Sequence, residues 1–78
     1  MKAIVTVMPK ATVLDPQGVA VRSAMEHLGL ENTGTVRVGK HIEIELGQPG
    51  PGVEDRLHAI CRDLLSNPVI EDYRLEIV

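Results

Sequence analysis

The sequence predicts an α+β fold: a two-layer sandwich in the order β-α-β-(β)-α-β, with a mostly antiparallel three- to four-stranded sheet and two helices on one face. Three observations predict it. Two segments carry apolar residues at helical spacing between recognisable caps. The segments around them are β-branched or alternate with period two. Two helices are also too few to cover both faces of such a sheet.

Residues 3–8 (Ala-Ile-Val-Thr-Val-Met) form the first strand, stopped by Pro9. Ala3, Val5 and Val7 share one face, while Ile4 and Met8 point to the other, so the strand asks for cover on both sides. The first helix runs from Pro16 to Leu28. Asp15 is its N-cap, Pro16 suits the first helical position, and Leu14 and Val19 occupy the hydrophobic-staple positions. Val21, Ala24, Met25 and Leu28 make its apolar stripe, and Gly29 is placed to end it in a left-handed cap.

Residues 35–46 alternate: Val36, Val38, Ile42, Ile44 and Leu46 against Arg37, His41, Glu43 and Glu45. A two-residue hairpin at Gly39-Lys40 would put the two apolar sets on opposite faces. One long strand bent or bulged at Gly39 fits the alternation better, and an odd-length turn would rescue the hairpin. Residues 47–52 (Gly-Gln-Pro-Gly-Pro-Gly) form a loop. A second helix follows from Val53 to Leu65, with Val53, Leu57, Ile60, Cys61, Leu64 and Leu65 on one stripe and Glu54 and Asp55 at its electropositive end. Asn67-Pro68 ends it, and residues 73–78 form the last strand.

The chain has 78 residues and one cysteine, so no internal disulfide is available. A domain this size buries only roughly 60–65% of the surface its unfolded chain exposes, which makes oligomerisation the natural source of added stability. The apolar residues on the second face of the first strand point the same way, toward a copy of the chain or a partner. Eight basic and eleven acidic residues give a net charge of −3, and Tyr73 is the lone aromatic. Nucleic-acid binders show a basic excess and stacking aromatics, and this chain has neither. No apolar run approaches the ~18–20 residues of a membrane span, and the N-terminal apolar run is too short for a signal peptide, so the expected location is cytoplasmic.

No residue pattern makes a convincing active site. Gly34 to His41 nearly matches the phosphate-loop pattern, but it ends in His instead of Ser or Thr, and a strand-like segment follows where a helix must open. Cys61 lies on an apolar stripe, where cysteine behaves as a small hydrophobe. His27 and His58 fall on polar helix faces and His41 follows the bend, without metal-ligand spacing. Lys10, Arg37 and Lys40 sit in or near connections, either as a solvated basic rim or as groups for a phosphate or a partner's carboxylates. Tyr73, at a strand start, reads as core or interface.

Four segments together resemble the PurS family, the small subunit of phosphoribosylformylglycinamidine synthase, over essentially the whole chain as one domain, residues 1–78. They are Val13-Leu14-Asp15-Pro16-Gln17-Gly18, Val36-Arg37-Val38-Gly39-Lys40, Cys61 through Leu64-Leu65, and Asn67-Pro68-Val69-Ile70-Glu71-Asp72-Tyr73. The resemblance implies a non-catalytic accessory subunit in purine biosynthesis. Its partners would be a large ATP-dependent synthetase subunit and a glutaminase subunit, which it would bridge as a homodimer or higher oligomer while helping ammonia pass between them. ATP and magnesium would be used by the complex, a glutamine-dependent carbon–nitrogen ligase, with no cofactor, metal or catalytic residue on this chain. The loop at 47–52 is richer in Gly and Pro than the family leads one to expect. Lys10, Asp15, Arg37, Lys40, Asn67 and Tyr73, in loops and element ends of the matching segments, are the expected partner-interface residues. The alternatives are a small-molecule-sensing α+β module and a minimal enzyme acting through Arg37 and Asn67.

Overall fold

The computed structural model describes residues 1–48 and 50–78, so Pro49, within the expected 47–52 loop, lies outside the described residues. The β-branched run near the N-terminus becomes β1 (Lys2–Pro9), the central strand of a three-stranded sheet. It is flanked by β2 (Lys40–Glu45) and β3 (Glu71–Ile77), both antiparallel to it. Between them lie α1 (Pro16–His27) and α2 (Val53–Ile60), and α2 runs on into a π-helical turn over Cys61–Leu65. This is the predicted α+β fold, with the smaller of the two strand counts.

The register explains the core. Ala3, Val5 and Val7 are fully buried on one face of β1. Across from them stand Ile44, Ile42 and Lys40 of β2, and Ile77, Leu75 and Tyr73 of β3. Val5, Val7 and Cys61 form the buried cluster, with Ile42, Ile44, Leu65, Tyr73 and Leu75 packed around it. Burying each valine contributes about 1.5–3 kcal/mol.

The opposite face of the sheet overturns one expectation. Ile4 and Met8 lie there, but their cross-strand neighbours are Glu43 and Glu76, and Asp72. Lys2 pairs with Glu43 at 2.8 Å and Arg74 with Glu76 at 3.3 Å. Ile4 and Met8 are half-buried among charged side chains, so this is the solvated face of an antiparallel sheet and needs no apolar cover.

The alternation through residues 35–46 resolves differently on its two sides. No hairpin forms. From Lys40 onward the segment is β2, with Ile42 and Ile44 turned to the core and Glu43 and Glu45 outward. Residues 35–39 join no strand ladder. The break falls at Gly39, where a Cβ would collide with the Met8 sulfur and the Val7 carbonyl oxygen. Only glycine lets the chain enter β2 this close to β1.

The second helix starts and ends as expected but changes its pitch. Gly52, at φ 78°, opens it in a left-handed conformation, and Glu54 and Asp55 sit in its first turn. Leu57 and Cys61 are buried on the sheet. Ile60, the last residue of α2, is exposed, and the wider π-helical turn after it rotates the stripe so that Leu64 is 76% exposed, although both were expected to face the core. The Ser66 hydroxyl and the Ser66 N–H both donate to the Cys61 carbonyl, at 2.7 and 3.0 Å, closing the turn.

α1 has the expected ends. The Asp15 side chain accepts from the Gln17 N–H at 3.1 Å, and Pro16 begins the helix. At the other end Gly29 has φ 98°. Its N–H donates to the Glu26 carbonyl at 3.1 Å, and the Leu30 N–H reaches back to Met25 at 3.0 Å, a Schellman motif. Its stripe, however, does not face the core. Val21, Met25 and Leu28 are exposed, Leu28 at 89%, and α1 makes no substantial contact with the sheet or α2. Both staple residues, Leu14 and Val19, are exposed as well. The helix is held instead by its N-terminal end. Gly18 is buried, and a Cβ there would collide with the Val36 carbonyl. The outcome is an elongated chain, 50 × 24 × 14 Å, with a radius of gyration of 16.0 Å. A compact chain of this length has about 11–12 Å.

Candidate functional site

β2 and β3 both run against β1, so the chain leaves β1 and enters both neighbours at the same end of the sheet. All six expected interface residues belong to this end or to its connections. Lys10 follows β1, Asp15 opens α1, Arg37 and Lys40 lead into β2, and Asn67 and Tyr73 lead into β3.

Each of the six is engaged within the chain. The Lys10 ammonium meets Asp72 at 2.8 Å, and the Lys10 N–H donates to the Ile70 carbonyl at 2.8 Å. Asn67 organises the turn before β3. Its carboxamide oxygen accepts from the Val69 N–H at 3.1 Å, and its own N–H donates to the Glu71 carboxylate at 2.8 Å. Lys40 and Tyr73 flank Val7 from either side across the sheet. Lys40 donates to the Leu65 carbonyl at 3.3 Å, tying the start of β2 to the end of the π-helical turn. The Tyr73 hydroxyl lies 2.9 Å from Nδ1 of His58, with the two rings tilted at 5.8 Å between centroids. His58 is therefore half-buried between helix and sheet and is not the solvated histidine the sequence suggested.

Asp15 does two jobs. One oxygen caps α1, and the other accepts from the Val38 N–H at 2.7 Å. The Val38 hydrogen bond, with help from backbone donors at the helix start, holds the carboxyl below its ordinary range. This carboxylate thus fastens α1 to the segment that leads into β2. Arg37 is fixed nearby, its guanidinium donating to the Pro9 carbonyl at 3.1 Å. Asp15 and Arg37 share a cleft of about 230 Å³ with Leu14, Val19 and Arg22. Arg22, paired with Glu26 at 3.2 Å, was not singled out from the sequence. Its spacing one turn after Gly18 was the available signal, legible only once Gly18 was known to pack on Val36.

Chemically, this end of the sheet is a set of oriented charges around structural turns. Burial pushes the Cys61 thiol up, so the thiolate that does chemistry is disfavoured. Residues 34–41 lead into a strand, so the phosphate-loop reading has no helix to rest on. Among the described residues no group of three or more His, Cys, Asp or Glu is placed to hold a metal ion, and no helix is long and apolar enough to cross a membrane.

Known proteins resemble the chain over nearly its full length. The profile of the PurS family, phosphoribosylformylglycinamidine (FGAM) synthase, matches residues 2–78. The phosphoribosylformylglycinamidine synthase subunit PurS of Synechocystis sp. is 43% identical over 74 residues, 94% of this chain and 72% of that protein. The structure of Bacillus subtilis PurS matches with a TM-score of 0.86 at 39% identity, covering 96% of this chain and 94% of that one. A chain in the structure of PurLQS from Thermotoga maritima matches with a TM-score of 0.73 at 26% identity, covering 99% of this chain and 95% of that one.

Proposed function

The chain belongs to the PurS family of phosphoribosylformylglycinamidine synthase subunits, and on that premise we propose that it is the non-catalytic bridge of such a complex. It joins the ATP-dependent synthetase subunit to the glutaminase subunit and assists the passage of ammonia between them. ATP and magnesium act on the synthetase partner, in the cytoplasm. The observation that supports this reading is α1, an amphipathic helix with sound caps and an apolar stripe left in solvent. Such a surface belongs in an assembly.

The assembly includes a second copy of this chain. Val21, Met25 and Leu28 supply its apolar contact, and residues 35–39, strand-like in sequence but outside any ladder, supply further backbone for it. Lys10, Arg37, Lys40 and the Asn67 turn then present this end of the sheet to the other subunits, with Asp15 and Tyr73 fixing the elements that carry it.

The test measures amidine formation by the synthetase and glutaminase subunits of the same organism, with and without this chain, using glutamine or ammonium chloride as nitrogen donor. Glutamine-dependent activity is expected to require the chain, and ammonia-dependent activity to proceed without it. A synthetase indifferent to the chain with both donors refutes the bridging role.

A further inference from the structure

We propose that the outer edge of β2, prolonged by residues 35–39, pairs antiparallel with the same edge of a second copy about a two-fold axis at His41. This rests on the self-association proposed above and names the backbone and the register that carry it.

The ladder shows which backbone groups are free. The Leu46 N–H donates to the Met1 carbonyl at 2.9 Å, so in the same register Ile44, Ile42 and Lys40 direct their backbone groups to β1. Those of His41, Glu43 and Glu45 then point outward, at the edge of the sheet. Residues 35–39 continue that edge. The Val38 N–H is taken by Asp15 and the Val36 carbonyl lies against Gly18. The start of α1 therefore occupies the side of this segment that β1 occupies along β2. The backbone groups of Thr35 and Arg37 alternate to the other side, and no residue from 35 to 45 has a left-handed φ to interrupt the run. Thr35 to Glu45 thus form one open edge, a template for another strand.

Charge and parity choose the occupant and the register. Pairing about His41 sets Arg37 opposite Glu45 of the second copy and Val38 opposite its Ile44, and the two-fold axis repeats both pairs. Among the described residues neither Arg37 nor Glu45 joins an ion pair within the chain. The Arg37 guanidinium gives one donor to the Pro9 carbonyl and has more in its planar fork. Val38, 36% exposed, gains an apolar neighbour. An axis at Lys40 would set two lysines against each other, and Arg37 against Glu43, which Lys2 already holds at 2.8 Å. The β3 edge is open as well, but its Glu76 and Asp72 are already paired, with Arg74 and Lys10. Joined at β2, the two three-stranded sheets make one continuous sheet.

The test combines cross-linking with sedimentation of the full chain. Directly opposed residues of a hydrogen-bonded pair have Cα atoms about 5.5 Å apart, inside the roughly 4.4–6.8 Å span of a disulfide. The His41→Cys variant should therefore form a covalent dimer in glutathione disulfide. Glu43→Cys should not, because its mate lies roughly 14 Å away along the strand. The native Cys61 is wholly buried and does not compete. Arg37→Glu and Glu45→Arg should each weaken self-association about threefold to tenfold, and the two together should restore it. His41→Cys and Glu45→Arg keep the idea testable where loss of the Pro9 contact unfolds Arg37→Glu. A self-associating chain in which His41→Cys stays unlinked, or in which Glu43→Cys links instead, overturns the pairing. A folded double variant as weak as the single ones overturns it too. A wild-type chain that sediments as a single copy removes the self-association on which the pairing rests.

Discussion

α2 and α1 each carry an apolar stripe, the sharper one on α2, and α2 lays Leu57 on the sheet at 4% exposure while α1 leaves Leu28 at 89%. The difference does not lie in helix-forming signals. α1 is the better capped of the two, with Asp15 and Pro16 at one end and a Schellman turn at the other, whereas α2 opens on Gly52 without a side-chain cap. What separates them is the route of the chain. α2 passes through a π-helical turn that packs against the sheet. α1 is tethered at Gly18 and Asp15 to residues 36–38, away from the sheet. Good local signals thus make a helix in either place, and only tertiary contacts decide what its stripe meets.

The comparison predicts unequal costs for changes in the two halves. Leu57→Ala, in the packed half, should cost the most, about 2–5 kcal/mol by chemical denaturation, because it opens a cavity between helix and sheet. Next comes Gly18→Ala. Its Cβ has no room against the Val36 carbonyl, so the loss should be about 1–3 kcal/mol despite alanine's better helix propensity. A neutral or stabilising result would mean that α1 is not held at Gly18.

The third effect is smaller and depends on pH. The carboxyl of Asp15 is held below its unfolded value, so its contribution is fully present above that value, near pH 4, and is lost as pH falls through the lowered folded value. The stability gap between wild type and Asp15→Asn should be constant from neutral pH to about 5 and close below about 4. A gap that persists at low pH removes the charged form of Asp15 from the account. Leu28→Ser should change the stability of the isolated chain least, by under about 0.5 kcal/mol, since the side chain is already in solvent. It should still shift the sedimentation profile toward smaller species, and a profile that stays put would take the stripe out of self-association.

How much of this was legible in the sequence follows the same divide. The β1 face, both caps of α1 and the Ile42–Ile44 parity are local or period-two signals, and they stand in the structure as read. Where contact partners had to be guessed, reading failed. The polar neighbours of Ile4 and Met8 come from β2 and β3, and no local pattern pairs them with Glu43, Glu76 and Asp72. The π-helical turn that exposes Leu64 leaves no trace in a stripe counted at 3.6 residues per turn. His58 looked solvated because its partner, Tyr73, lies 15 residues away on another element. The cleft joins Arg22 and Arg37 across a connection, a pairing set by Gly18 seating on Val36.

Cys61 gives the divide a built-in clock. It is the one thiol in the chain, wholly shielded at the start of the π-helical turn that continues α2, where burial raises its pKa. An alkylating reagent reaches it only when the helix lifts from the sheet, so the labelling rate counts those openings. α1 is fastened elsewhere, and its fraying should leave that rate unchanged. A single-site labelling experiment therefore times the motion of one helix while remaining blind to the other.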